Sequence, residues 1–206
     1  LLKRMISSVG KIHHDDLLNA TLSKEQRGEV IRTIAKISAY PLEIVTGKSG
    51  LKEILAGISD TKKGRKELAV IDYLGLIETG RKSENRNQEI SYMTRVLKVK
   101  AQESKIPILA LSQLSRAPDN DSREPALSDL RDSGSLEQDA DTVLLLHQPS
   151  AMKKRPAGAP QDEVQVIVGK QRSGAAKKRA FLTLEGHFCR FIERTQENEH
   201  GTSNDN

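Results

Sequence analysis

Leu68-Ala69-Val70-Ile71-Asp72 sets four consecutive apolar residues before a carboxylate. That is the pattern of a strand buried on both faces, whose carboxyl end reaches the rim where open α/β sheets bind ligands. Working outward, Ile108 to Leu111 and Val143 to Leu146 repeat the apolar run. Between the first two runs, Ile90, Met93, Leu97 and Ala101 fall on one helical stripe, with Asn85-x-x-Gln88 as its cap. Toward the C-terminus the period shortens. Val164 to Val168, Phe181 to Leu184 and Phe188 to Ile192 read as short antiparallel strands joined by Gly-containing turns. Toward the N-terminus, Ser23-Lys24-Glu25-Gln26 is a capping box ahead of Val30, Ile31, Ile34 and Ile37, and Pro41 stops that helix. A short apolar run, Leu42 to Val45, then leads into a further helix around Leu51, Ile54 and Leu55. The alternation predicts an α/β fold with a mainly parallel sheet and a β-rich C-terminal edge. The polar connection from Ser115 to Leu127 is too long for an idle turn.

Composition narrows the function. The chain has 206 residues, enough for one ordinary domain, and its single cysteine excludes an internal disulfide. No apolar run approaches the roughly 18 to 20 residues of a membrane span, and no export signal opens the sequence, which predicts a cytosolic chain. Thirty-three basic against 28 acidic residues leave a net charge of +5, compatible with a polyanionic partner. Aromatic residues make up only 3% and tryptophan is absent, so a nucleic acid would be gripped through its phosphates rather than by base stacking.

Four elements could carry chemistry. Asp72, at a strand tip, can hold a magnesium-bound water beside a nucleotide phosphate; alone the signal is weak, because turn-forming Asp residues close many strands. Gln113 ends the next strand and can report on a phosphate by hydrogen bonding. Gly169-Lys170-Gln171-Arg172-Ser173-Gly174 puts two cations one residue apart on a strand-like tip, the disposition of a pair offered to a neighbouring subunit's phosphates, or of a plain basic turn. In Ser128-Asp129-Leu130-Arg131-Asp132-Ser133-Gly134-Ser135, Arg131 can meet a phosphate and the small residues leave N–H groups open to an anion; a capped helix start is the simpler alternative. Other features fall away. Thr46-Gly47-Lys48-Ser49 lacks the earlier glycine of a phosphate-binding loop, with Leu42 in its place, and reads as a linker turn. His13-His14-Asp15-Asp16 reads as a solvated helix start, and Cys189 as a core thiol in a strand. There is no Gly-x-Ser-x-Gly elbow for a serine nucleophile.

Taken in order, Ile71-Asp72-Tyr73-Leu74, Ala110-Leu111-Ser112-Gln113-Leu114-Ser115-Arg116, the run from Ser128 to Asp141, and Gly169-Lys170-Gln171-Arg172 strongly resemble the DnaB-type replicative helicases of bacteria and their phages. The likeness extends from about Leu1 to Ile192. It implies a partial RecA-like P-loop NTPase core over residues 1–192, followed by a disordered polar tail over 193–206. It further implies a homo-hexameric ring that hydrolyses ATP with Mg2+ between subunits and draws single-stranded DNA through its channel, with a primase and a helicase loader as partners. Carried over residue by residue, Asp72 resembles the Walker B magnesium residue, Gln113 the nucleotide sensor and Arg172 the arginine finger, with Lys170 beside it. Arg131, Asp132 and Gly134 resemble the strand-holding loop, which in relatives more often reads Arg-Glu-Ser-Gly. In the family the phosphate-binding loop and catalytic glutamate lie upstream of the matched region, so the sequence reads as an N-terminally truncated, C-terminal part of a longer protein. Alone it should hydrolyse little triphosphate. Two rivals remain: another RecA-like DNA-dependent ATPase, such as a filament-forming strand-exchange protein, and a non-catalytic DNA- or partner-binding helicase remnant.

Overall fold

The computed structural model describes residues 1–59, 66–81, 85–115, 123–130, 134–149, 162–174 and 178–194. The chain opens with α1 (Leu2–Gly10), α2 (His14–Asn19) and α3 (Lys24–Ser38). The capping box forms as the sequence predicts: the Gln26 N–H donates to Ser23 Oγ at 3.1 Å and the Ser23 N–H to Gln26 Oε1 at 2.8 Å. These helices share a small core of Ile6, Ile12 and Ile37, edged by Met5, Val9, Leu17, Leu22 and Val30. Gly10 permits the close approach of α1 to α3, since a Cβ there would lie 2.6 Å from Thr33 Oγ1. The predicted α3 stripe is only half used. Ile37 is buried, whereas Ile31 and Ile34 are exposed, because a three-helix cluster this small shields one narrow seam. His13, which precedes α2, has its ring 5.0 Å from that of His187 and 5.1 Å from that of Phe188, linking this cluster to the C-terminal strands.

Leu42 to Val45 forms no strand, and Leu42, Ile44 and Val45 are exposed. The expected linker turn follows, with Gly47 at a φ of 74°. Next come α4 (Leu51–Ser59), β1 (Ala69–Ile71), α5 (Arg86–Ser104) and β2 (Ile108–Ala110). Asn85 caps α5, its Oδ1 accepting from the Gln88 N–H at 2.9 Å. The α5 stripe behaves as read: Ile90, Met93 and Leu97 join Leu51, Ile71, Leu74 and Ile77 in the principal core, and Met93 is fully buried.

β1 and β2 pair in parallel, with Ala69 opposite Ile108, Val70 opposite Leu109 and Ile71 opposite Ala110. The expectation that both strands are buried on two faces is corrected. Val70, Leu109 and Leu111 are exposed, because the principal core lies on the Ile71 face and, among the described residues, no comparable cluster covers the other.

The remaining elements are α6 (Gly134–Asp139), β3 (Thr142–His147), β4 (Glu163–Gln171), β5 (Arg179–Glu185) and β6 (Arg190–Glu193). The four strands form one antiparallel sheet in the order β3-β4-β5-β6. The third apolar run therefore belongs to an antiparallel strand. Val143 and Leu145 point into a core with Ile167, while Leu144 and Leu146 face outward. The predicted strand over Phe188 to Ile192 begins only at Arg190. Cys189 is not a strand residue: it ends a 3₁₀ turn over Gly186–Phe188 with a φ of 51° and is half-buried. Among the described residues, no helix is long and apolar enough to cross a membrane. The polar tail predicted over 193–206 lies, from residue 195, outside the described residues.

Candidate active site

The parallel register brings the ends of β1 and β2 level. The ladder then continues past both strands, through the Leu111 N–H to the Ile71 carbonyl at 2.9 Å and the Leu74 N–H to the Leu111 carbonyl at 3.0 Å. Asp72 and Gln113, predicted from two separate strand tips, consequently line one open cleft of about 340 Å3 with Tyr73, Leu111 and Ser112. The Asp72–Tyr73 peptide is cis. The turn behind the cleft requires a glycine: a Cβ on Gly75 would come within 2.4 Å of the Tyr73 ring. Arg86, in the first turn of α5, fastens that turn by donating to the Gly75 carbonyl at 2.9 Å and pairing with Glu89 at 2.7 Å. The Asp72 carboxylate, the Ser112 hydroxyl and the Gln113 amide are exposed oxygen-bearing groups at the sheet rim. Among the described residues no group of three or more His, Cys, Asp or Glu could hold a metal ion. A hard cation at this rim would thus be bound through water and substrate oxygens with Asp72 as its protein contact, the way magnesium is commonly held.

Lys170 and Arg172 do not line this cleft. They lie on the antiparallel sheet, where β4 passes the segment joining α6 to β3. The Lys170 ammonium donates to the Glu137 carbonyl and, at 3.2 Å, to that of Gln138, so it closes the C-terminal end of α6. Arg172 follows the last residue of β4. Its N–H donates to the Asp141 carbonyl at 2.8 Å and its guanidinium to Asp141 Oδ1 at 3.2 Å, while its side chain remains 55% exposed. Lys98 of α5 pairs with the other oxygen of the same carboxylate. The hydrogen bond from Lys98 is the main reason the Asp141 carboxyl is held below the usual aspartate range, and the nearby charges of Arg172 and Lys170 add to it.

Gly134 begins α6, whose helix is held against α5 by Thr94, donating to Asp139 Oδ2 at 2.9 Å. Arg131 and Asp132, immediately before it, lie outside the described residues. The segment leading to them has an anchor that sequence reasoning missed. Asp129 is buried and takes a two-pronged contact from Arg123, at 2.7 and 2.6 Å, together with the Ala126 N–H at 2.7 Å. The Arg123 hydrogen bonds, joined by that of Ala126, hold its carboxyl below the usual range against the opposing effect of burial. The only available signal was an Asp at the third position of a turn, a weak one on its own. The roles of Lys98 and Asp141 as partners of Arg172 were likewise unmarked, since they lie 74 and 31 residues from it by number.

Known proteins resemble the chain along most of its length. The model of the DnaB-like helicase C-terminal domain matches residues 1–193. The replicative DNA helicase DnaB of Mycobacterium intracellulare is 38% identical over 195 residues, 93% of this chain and 33% of the relative. That of Geobacillus stearothermophilus is 35% identical over 203 residues, 96% of this chain and 44% of the relative. Among solved structures, one helicase ATPase domain superposes with a TM-score of 0.85 at 31% identity, covering 94% of this chain and 69% of that one. A DnaB-like replicative helicase, solved with its interactions with primase, gives a TM-score of 0.83 at 32% identity, covering 94% and 47%. The chain thus spans a third to under half the length of these two curated relatives, and its fold is that of RecA-like helicase ATPase domains. By sequence over 193 residues and by superposition, the chain belongs to the family of DnaB-like helicase C-terminal domains.

Proposed function

We propose that this chain is the motor segment of an ATP-dependent replicative DNA helicase, a DNA-stimulated ATPase that moves along single-stranded DNA and unwinds duplex at the fork. The observation that carries the reading is the convergence of Asp72 and Gln113 on one cleft, with Arg172 carried apart from it on the other sheet. In this reading Asp72 holds Mg2+ through water beside the triphosphate, and the cation neutralises charge on the phosphates. Gln113 hydrogen-bonds toward the terminal phosphate and senses its loss. Arg172, half exposed beyond the end of β4, reaches the phosphates of a neighbouring subunit in a homo-hexameric ring, while Lys170 beside it secures α6. Arg131, Asp132 and Gly134 hold the phosphates of single-stranded DNA, and the shortage of aromatic residues suits a grip that ignores sequence. A primase and a helicase loader are the expected partners, and the cytoplasm of a bacterial or phage-infected cell the expected setting.

The test is substitution of this chain for the 203 matched residues of the Geobacillus stearothermophilus helicase. The expected result is ATP hydrolysis stimulated by single-stranded DNA and abolished by Asp72→Asn. A folded, ring-forming chimaera that hydrolyses ATP with no response to DNA would overturn the proposal.

A further inference from the structure

Asp141 stands between two cations from different parts of the fold. Lys98 approaches from α5, the helix that buries Met93 and Leu97 in the core behind Asp72; Arg172 approaches from the end of β4. The contact with Arg172 is double. Its backbone N–H donates to the Asp141 carbonyl and its guanidinium to the Asp141 carboxylate, so both the strand end and the side chain are tied to one residue. The surroundings keep Asp141 in place. Thr142 and Val143 pair with Gln171 and Lys170 in the sheet, and Lys170 closes the helix that ends two residues before Asp141. A long cationic side chain free in water samples many rotamers, and ordering it costs on the order of 2 kcal/mol. A carboxylate fixed by Lys98 removes much of that freedom before any phosphate arrives, yet leaves the guanidinium more than half exposed and able to exchange one anion for another.

We propose that Asp141 is a positioning residue for Arg172: anchored by Lys98, it holds the guanidinium beyond the end of β4 in readiness for the neighbouring subunit's phosphates, and so ties the finger to the helix behind the same subunit's own cleft. The proposal rests on the reading of Arg172 as a finger.

Two measurements test it together. In the full chain, 15N NMR follows hydrogen exchange at the Arg172 guanidinium, which Asp141→Asn should accelerate and Lys98→Met should accelerate less. In the assembled helicase, Asp141→Asn should lower kcat roughly 10- to 100-fold, the cost of a misplaced catalytic group. The KM for ATP should stay within about twofold, since a group acting in the transition state leaves ground-state binding largely untouched. In an Arg172→Ala background the same substitution should cost nothing further, whereas a merely structural role would add its full penalty. Asp141→Glu should restore part of the loss. Unchanged guanidinium exchange in Asp141→Asn overturns the proposal, as does an additive loss of turnover or none at all. If Arg172→Ala itself leaves turnover intact, the finger reading falls and takes this proposal with it; guanidinium exchange would still reveal whether the contact exists.

Discussion

Replacing Asp129 with alanine removes the anchor of the segment that leads into Arg131 and Asp132. Three hydrogen bonds end on its carboxylate, two from Arg123 and one from the Ala126 N–H, and the Asp129 side chain is only 4% exposed. Charge-assisted hydrogen bonds contribute about 1.5–3 kcal/mol each, but not additively. Breaking a fully buried pair costs about 3–5 kcal/mol because the surviving charge is stranded. Here the surviving charge is not stranded, since the Arg123 side chain is 40% exposed and recovers water. The Ala126 N–H loses its carboxylate acceptor. The net cost is thus about 2–3 kcal/mol, below the fully buried case. Urea unfolding of the purified chain should show a midpoint lowered by about 1 M at neutral pH. Arg123→Ala should cost nearly as much, and the double variant little more than either. The sign of the pH dependence follows from the depressed carboxyl. Asp129 stabilises the fold above the unfolded aspartate pKa of about 3.9, and the contribution fades as pH falls through the lower folded value, so the gap between wild type and variant should close below about pH 4. A midpoint shift below about 0.3 M at neutral pH, or a gap that widens on acidification, would refute the reasoning.

Three further outcomes are expected. Arg172→Ala in the assembled helicase should reduce ATP turnover by roughly 10³-fold or more, measured as phosphate release; turnover within about tenfold of wild type would remove the finger assignment. Arg131→Ala should weaken single-stranded DNA binding alike for all sequences and lower the slope of log affinity against log salt by roughly 1, as read by fluorescence anisotropy; a loss confined to one sequence would contradict a phosphate contact. Met93→Ala, at a fully buried position in the principal core, should cost about 2–5 kcal/mol in urea unfolding, and a cost under about 1 kcal/mol would mean that the α5 core is misassigned.

The sequence was most legible where one local rule had no competitor. The Ser23 and Asn85 caps, the α5 stripe and the Gly47 turn each follow from spacing within a few residues, and each is formed. Apolar runs were less informative. Val70, Leu109, Leu144 and Leu146 all sit in continuous apolar words yet are exposed, because such a run states what a strand can bury and not how many of its faces a given segment covers. Cys189 reads as a strand thiol by alternation, but the preceding Gly186–Phe188 turn takes it into the left-handed region. At the site, Asp72 and Gln113 were legible as strand tips, and the parallel register is what brings them together. The ties of Lys170 to α6, of Arg172 to Asp141 and of Arg123 to Asp129 were not. Each depends on where a flexible side chain ends, which no residue spacing specifies.

The central claim is that the Asp72 cleft of one subunit is completed by Arg172 of the next. Mixing subunits tests it directly. Asp72→Asn and Arg172→Ala helicases, each inactive alone, are combined under conditions that exchange subunits, and DNA-stimulated ATP hydrolysis is measured against subunit ratio. The account predicts partial recovery of activity in the mixtures, because some interfaces then pair an intact cleft with an intact finger. Mixtures as inactive as either parent, with exchange verified by labelled subunits, would contradict it.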